Sequence, residues 1–517
     1  MGLPAAFARP RVPRYSSFLM DSARVQPATS ATNDFYNTNR GNNNWTMASR
    51  FTVNSPIVVT HLCAIDQPPD GFTGTVFIKL TACSNVNGVL RVPLLLASFS
   101  GSNYPRSPQG GYLVQPVQET VLTAGTYQVN WWTTDSVSNK VDSNSGTQTI
   151  NTRNGIAAQP RTTSVSTGQD TQPTFGGTTA YAVAGTIGYR EYADPPFSLS
   201  SPQLMYTNAQ ARALNNSSWF DTSIGVAPGA GGTWNFYAGN YLQTRRSTGT
   251  ATALASGGAV TCTMSNTGTL DYYYGGAVYQ DPATQRDILF LHEEEWNGDQ
   301  TAFYGTIGIS VNSAPYSTAF TRLGTIIRPN IAQDGVNTAT VGSTNLVVRD
   351  GYMYVYYNDR LSSGTFVACA VARAPLATVV SEVLAGTCPT FYKYNNLAWT
   401  SPGIGGAVTA LDASTAGNSN PCVVYIPSRK IYAKVQQSGS DTASRIYLSY
   451  SLDGLSWGPT TIIENDAGEA FYPVILGAGA DPRVITNSFH VLYTKSALGG
   501  FNRWQDLQIK YVTVTLT

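Results

Sequence analysis

Charge is what this sequence has least of. Asp, Glu, Lys and Arg make up 12% of its 517 residues, about half the usual share. Lys and Arg number 31 against 30 Asp and Glu. That balance leaves no electrostatic footprint for nucleic acid, and no basic stripe breaks it. No run approaches the ~18 apolar residues of a membrane span, so no segment is expected to enter a membrane. The six cysteines (Cys63, Cys83, Cys262, Cys369, Cys388 and Cys422) include no C-x-x-C pair and no spacing with His that suits zinc. Cys63 with Cys83 and Cys369 with Cys388 are open to disulfide formation, with buried free thiols the equal alternative. The N-terminus, MGLPAAFARPRVPRYSSF, carries Arg but no apolar h-region, so no secretory signal is read there. Ala6 excludes the myristoylation pattern.

What the chain does have is Gly, Ser, Thr, Asn and Tyr, with 42% hydrophobic residues. These fall in short β-type runs between turns, so the expected class is all-β. At this length more than one domain is expected. The stretch 275–325 shows the pattern most plainly: Gly276–Gln280, Asp287–His292, Tyr304–Val311 and Phe320–Ile326 read as four strands of an antiparallel meander. Such a meander is one blade of a β-propeller.

Residues 1–30, rich in Pro, Arg, Ser and Ala, have no periodicity and read as an unstructured arm that docks the chain to a larger assembly or a second copy. From 31 to 193 the expected fold is a β-sandwich, with strands at Arg50–Val53, Ile57–Ile65, Thr75–Thr81, Leu94–Phe99 and Gly125–Trp132. Tyr127, Val129 and Trp131 alternate with Gln128, Asn130 and Trp132, which predicts one buried face. Trp131 and Trp132 are either core residues or a sugar-stacking platform. The phrases RFTVNSPIVVTHLCAID, LTAGTYQVNWW and FGGTTAYAVAGTIGY resemble the sandwich modules of extracellular and phage surface proteins.

Pro195-Pro196 marks the joint to a second domain, 194–517. There the blade pattern recurs five times at a spacing of roughly 50–70 residues. First strands are read at Asp221–Ala227, Gly276–Gln280, Asn345–Arg349, Pro421–Ile426 and Tyr472–Ala478. The third strand of the first blade is placed at Thr250–Ala255. Leu204-Met205-Tyr206 is expected to complete the last blade and close the ring.

The phrases DGYMYVYYNDR, ACAVARAPLA, IYLSYSLDGLSWGPT and DPRVITNSFHVLYT resemble those of five-bladed propeller glycosidases, the set of arabinanases, xylosidases and invertase-type enzymes. Ser451, Asp453, Gly454 and Trp457 within them form a structural hairpin turn. The resemblance implies a carbohydrate partner, two catalytic carboxylates with a third that tunes them, and no cofactor beyond a structural calcium near the axis. It places the base at the start of the first blade, where Asp221 is the acid that matches, followed by Thr222 rather than Pro. The separate acid of the third blade is missing, since that blade begins Ser343-Thr344-Asn345.

First strands start, and second strands end, on one face near the axis, so the search for a site narrows to that face. Catalytic candidates are Asp221, Glu293, Glu294 and Glu469; substrate-binding candidates are Trp219, His292, Trp296, Asp359, Arg360 and Tyr472. Along His292-Glu293-Glu294-Glu295-Trp296, Glu293 and Glu295 share one direction and His292 and Glu294 the other. Solvated loop, site acid and bound cation are the readings of that run. Arg360 serves either a sugar or a rim salt bridge. The functional expectation is a glycan-directed protein of a virion surface or extracellular setting. It is a phage spike or fibre head that binds polysaccharide, or alternatively a secreted glycoside hydrolase.

Overall fold

The computed structural model describes residues 17–18, 46–54, 56–65, 72–83, 91–101, 103–105, 112–133, 156–165, 185–215, 223–240, 243–299, 301–333, 338–360, 367–411, 419–438, 445–464, 470–496 and 507–517. The chain is all-β and divides into two compact units, 1–193 and 194–517.

The first unit has two antiparallel sheets. One runs Ser17–Phe18, Gly185–Glu191, Ile57–Ile65, Tyr112–Leu122; the other runs Arg91–Gly101, Phe72–Cys83, Gly125–Thr133, Thr46–Val53, Ile156–Val165. Phe51, Val59, Leu62, Ile78, Phe99, Val129 and Tyr189 belong to one core shared by both sheets. Two expectations need correction. Ser17 and Phe18 pair with Tyr189 and Gly188, so the arm supplies an edge strand instead of being wholly unstructured. The Gly125–Thr133 strand is central in its sheet, and Gln128 and Asn130 are buried as well as Tyr127 and Val129. Asn130 meets that burial by donating to Thr81 Oγ1 at 3.1 Å. The side chains of Trp131 and Trp132 lie outside the described residues.

The second unit is a five-bladed propeller. Blade 1 is Gly225–Pro228, Trp234–Asn240, Gln243–Gly249 and Ala259–Ser265. Blade 2 is Tyr272–Gln280, Asp287–Trp296, Phe303–Asn312 and Ala319–Ile327. Blade 3 is Ala339–Arg349, Tyr352–Arg360, Val367–Pro375 and Tyr392–Asn395, with a helix at Leu376–Leu384 and an extra strand at Ala398–Pro402. Blade 4 is Ser419–Ile426, Ile431–Ser438, Arg445–Ser451 and Thr461–Glu464. Blade 5 is Ala470–Gly477, Ser488–Ser496 and Leu507–Leu516, completed on its outer edge by Phe197–Leu199 and Gln203–Tyr206.

First strands of successive blades lie against one another, and each interface has an apolar core, such as Phe290, Ile309, Met353 and Val355 between blades 2 and 3. Blade 1 returns to blade 5, where Trp234 Nε1 donates to Ala480 O at 2.8 Å and Arg483 stacks over the same indole. With the outer strand from 203–206 completing blade 5, the N- and C-terminal ends of the unit meet in one blade and the ring is closed. The third strand of blade 1 is Gln243–Gly249 and not Thr250–Ala255, which is a tight turn closed by Thr250 and Ala253. Arg245 and Arg246 hid the strand, because a charged run does not read as one.

Five cysteines, Cys63, Cys262, Cys369, Cys388 and Cys422, are free thiols. Cys369 and Cys388 are therefore not joined, nor is Cys63 bridged; the Cys83 side chain lies outside the described residues. Burial pushes the Cys422 thiol up to about 12, which leaves it an inert core group. Among the described residues no helix is long and apolar enough to cross a membrane.

Candidate functional site

The first strands of blades 2, 3, 4 and 5 each begin with a β-bulge on the face where the second strands end. The bulges fall at Gly276-Ala277, Ser343-Thr344, Asn420-Pro421 and Tyr472-Pro473. Ser343, Asn420 and Tyr472 each adopt a left-handed backbone, with φ of 52°, 54° and 52°. Such conformations persist only where surroundings hold them, and here the neighbouring blade does. Asn358, ending the second strand of blade 3, accepts the Asn420 N–H at 3.0 Å; Gln437 of blade 4 accepts the Tyr472 N–H at 3.0 Å and Asn420 Nδ2 at 2.8 Å. Asn420 Oδ1 in turn accepts from Asn358 Nδ2 at 3.2 Å and from the Ser343 hydroxyl. The result is a chain of amides across blades 3, 4 and 5. Sequence reasoning did not find it as a unit, although one signal was present: Pro421 and Pro473 stand at the same offset in two first strands, and proline inside a strand marks a bulge.

Blade 2 carries the acidic run, and the expected alternation holds. His292 and Glu294 face blade 3. The His292 ring lies so close to Gly342 that a Cβ there would be 2.6 Å from Nδ1. His292 Nε2 and Glu294 Oε1 are 2.8 Å apart, and Trp296 Nε1 donates to Glu294 Oε2 at 2.8 Å. Tyr274 packs on the imidazole at 5.1 Å and Phe303 on the Trp296 ring at 4.9 Å between centroids. Trp296, Tyr272 and Phe303 are half-buried, and they form an aromatic surface above a buried acid.

Glu293 points the other way and is fully buried. The Arg322 fork donates to both its oxygens, at 2.5 and 2.9 Å, and the hydroxyls of Thr306 and Thr325 donate to it at 3.0 and 3.1 Å. Both its oxygens are engaged by its own blade. Glu293 is thus a structural anchor, which corrects the catalytic assignment: a general acid or nucleophile must reach substrate. Asp359 is corrected in the same way. It is buried 3.5 Å from Lys393 Nζ, which also donates to the carbonyls of Arg328 and Gly406. Burial, opposed by the Lys393 charge, holds its carboxyl up at about 6. Between blades 4 and 5, Glu464 and Lys495 form a further buried pair at 2.6 Å.

Tyr472 sits at the blade 5 bulge, half-buried, with its ring against Phe471. The backbone of Arg360 pairs with Val367, while its side chain is outside the described residues. Trp219, Asp221 and Glu469 also lie outside them. The S-x-D-G-x-x-W turn is structural: Asp453 Oδ1 accepts from the backbone of Leu455 and Ser456, Gly454 has φ of 75°, and Trp457 is buried.

On the same face, beside Glu295, a cavity of about 260 Å³ opens between the 267–270 loop and the outer strands of blade 2. Among the described residues no group of three or more His, Cys, Asp or Glu side chains is placed to hold a metal ion. The side-chain oxygens nearest the bulges belong to Asn358, Asn420 and Gln437, and each accepts a hydrogen bond from a neighbouring blade.

No family model matches the chain, and no curated protein matches it by sequence. Solved structures do match by fold. The propeller is similar to glycoside hydrolases. A family 117 glycoside hydrolase produced by the marine bacterium Zobellia galactanivorans aligns at 13% identity over 62% of this chain and 91% of its own, with a TM-score of 0.40. The α-L-arabinofuranosidase from Lactobacillus brevis aligns at 9% identity over 58% and 93%, with a TM-score of 0.38. The catalytic domain of the Coprinopsis cinerea GH62 α-L-arabinofuranosidase aligns at 13% over 62% and 97%, with a TM-score of 0.36. Likeness this distant carries no residue's role across to the present chain.

Proposed function

We propose that the propeller is a glycan-binding head that holds polysaccharide on its bulge face without cleaving it. The observation that supports binding over turnover is the state of three candidate acids among the described residues. Glu293, Glu294 and Asp359 are each buried against a cation, an imidazole or an indole N–H, and none is left to face a glycosidic bond. The half-buried aromatic surface of Tyr272, Trp296 and Phe303 supplies the contact that a sugar ring uses. In the same reading the chain serves at a virion surface or extracellularly, as a spike or fibre component, with its N-terminal arm docking to a larger assembly.

The test is a binding and turnover assay on cell-surface and capsular polysaccharides. The wild type binds one of them and releases no reducing ends. Trp296→Ala lowers the affinity about tenfold, equivalent to ~1.4 kcal/mol of lost ring contact, while Asp221→Asn leaves it unchanged. Reducing-end release that Asp221→Asn abolishes would replace this reading with a glycoside hydrolase.

A further inference from the structure

We infer that the blade 2 cavity is a subsite for an uncharged sugar residue, bound through hydroxyls that bridge Arg328 and Glu295; this rests on the glycan reading above. Arg322 lines the cavity, and its charge is already answered by Glu293. Two charged walls remain. Arg328 is exposed, and among the described residues no carboxylate lies within ion-pair distance of it. Its backbone is held at both ends, since its N–H donates to Gly403 O at 2.9 Å and its carbonyl accepts Lys393 Nζ at 2.6 Å. Glu295 is half-buried and, among the described residues, its one side-chain hydrogen bond is a long contact from Gln333, at 3.4 Å.

A guanidinium only donates and a carboxylate only accepts, so the two walls ask different things of one ligand. A sugar hydroxyl does both. Neighbouring hydroxyls of one ring can donate to Glu295 and accept from Arg328 while the ring rests among Thr269, Tyr304 and Gln333. A uronic acid would gain Arg328 but meet Glu295 across the same cavity, and an amino sugar the reverse. The chemistry therefore selects a neutral residue. Glu295 precedes Trp296 on one strand with its side chain on the opposite side.

The experiment measures binding of neutral gluco- and galacto-oligosaccharides and of oligogalacturonate to the full chain and to Arg328→Ala, Glu295→Gln and Trp296→Ala. Arg328→Ala and Glu295→Gln are each expected to weaken neutral binding about tenfold with an unchanged melting temperature. Glu295→Gln should also strengthen oligogalacturonate binding, by removing the opposing charge. If Trp296→Ala weakens neutral binding and both cavity variants leave it intact, the subsite is wrong and the glycan-binding head stands. If the wild type binds oligogalacturonate in preference, the neutral selection is wrong. Absence of binding to every probe overturns the subsite and the head together.

Discussion

Gln437 of blade 4 accepts the backbone N–H of Tyr472 in blade 5 at 3.0 Å, and Asn358 of blade 3 repeats the arrangement on Asn420 of blade 4 at the same distance. One side-chain amide thus spans each of two blade interfaces and fixes the left-handed residue at which the next blade starts. Truncation to Ala leaves a backbone N–H without its partner, at about 1–3 kcal/mol per site. Asn358→Ala also loses a bond to Asn420 Oδ1, but that oxygen keeps the Ser343 hydroxyl, whereas Gln437→Ala releases Asn420 Nδ2 and is expected to be the costlier of the two. Urea unfolding of both variants and of the double variant checks this. A double variant whose loss equals the sum would show the joints to be independent, whereas the shared Asn420 predicts a departure from additivity.

Glu293→Gln separates anchor from catalyst. Only one of its side-chain oxygens would remain to face the Arg322 fork, and a partly buried guanidinium would lose its charge partner. The expected cost is about 3 kcal/mol, read as a lowered unfolding midpoint. A variant as stable as the wild type would return Glu293 to the list of candidate site acids.

Much of this was legible from local pattern, and the rest depended on partners distant in the chain. The first and second strands of blade 2 could be read because Ile288 to Leu291 is an apolar run bounded by turns, and the closing strand because Leu204-Met205-Tyr206 precedes the first blade. The period of two also separated Glu293 from Glu294 correctly. What pattern could not supply was Arg322, on the outer strand of blade 2, which turns Glu293 from a site acid into an anchor. Lys393 does the same for Asp359 from across blade 3. An acid's role is set by its neighbours in space, and strand periodicity is silent about those.

Asp359 should leave a signature in the pH dependence of stability. Burial raises its carboxyl from 3.8 to about 6 in the folded protein. Between those values the folded chain holds a proton that the unfolded chain has released, so this group's contribution falls as pH rises across the window. The loss is no more than about 3 kcal/mol, and Lys393 beside it limits it. The measurement is the difference in unfolding free energy between wild type and Asp359→Asn from pH 4 to 7. The wild type should lose stability relative to the variant as pH increases, and a flat difference would contradict the assignment.

The last expectation concerns the contact between blades 1 and 2. Gly225 opens the first strand of blade 1, and a Cβ placed there would overlap Gly276 O at the blade 2 bulge and lie 2.8 Å from Val278 Cγ1. A backbone carbonyl cannot swing aside as a side chain does, so Gly225→Ala must separate two first strands or shift the bulge. Overpacking of this kind costs about 3 kcal/mol. Gly298→Ala is the matched control, because a Cβ there meets nothing within 4 Å. Thermal melting should show a large drop for the first substitution and almost none for the second. A Gly225→Ala protein that melts with the wild type would mean that blades 1 and 2 do not meet at this point, and the close packing of first strands around the axis would have to be redrawn there.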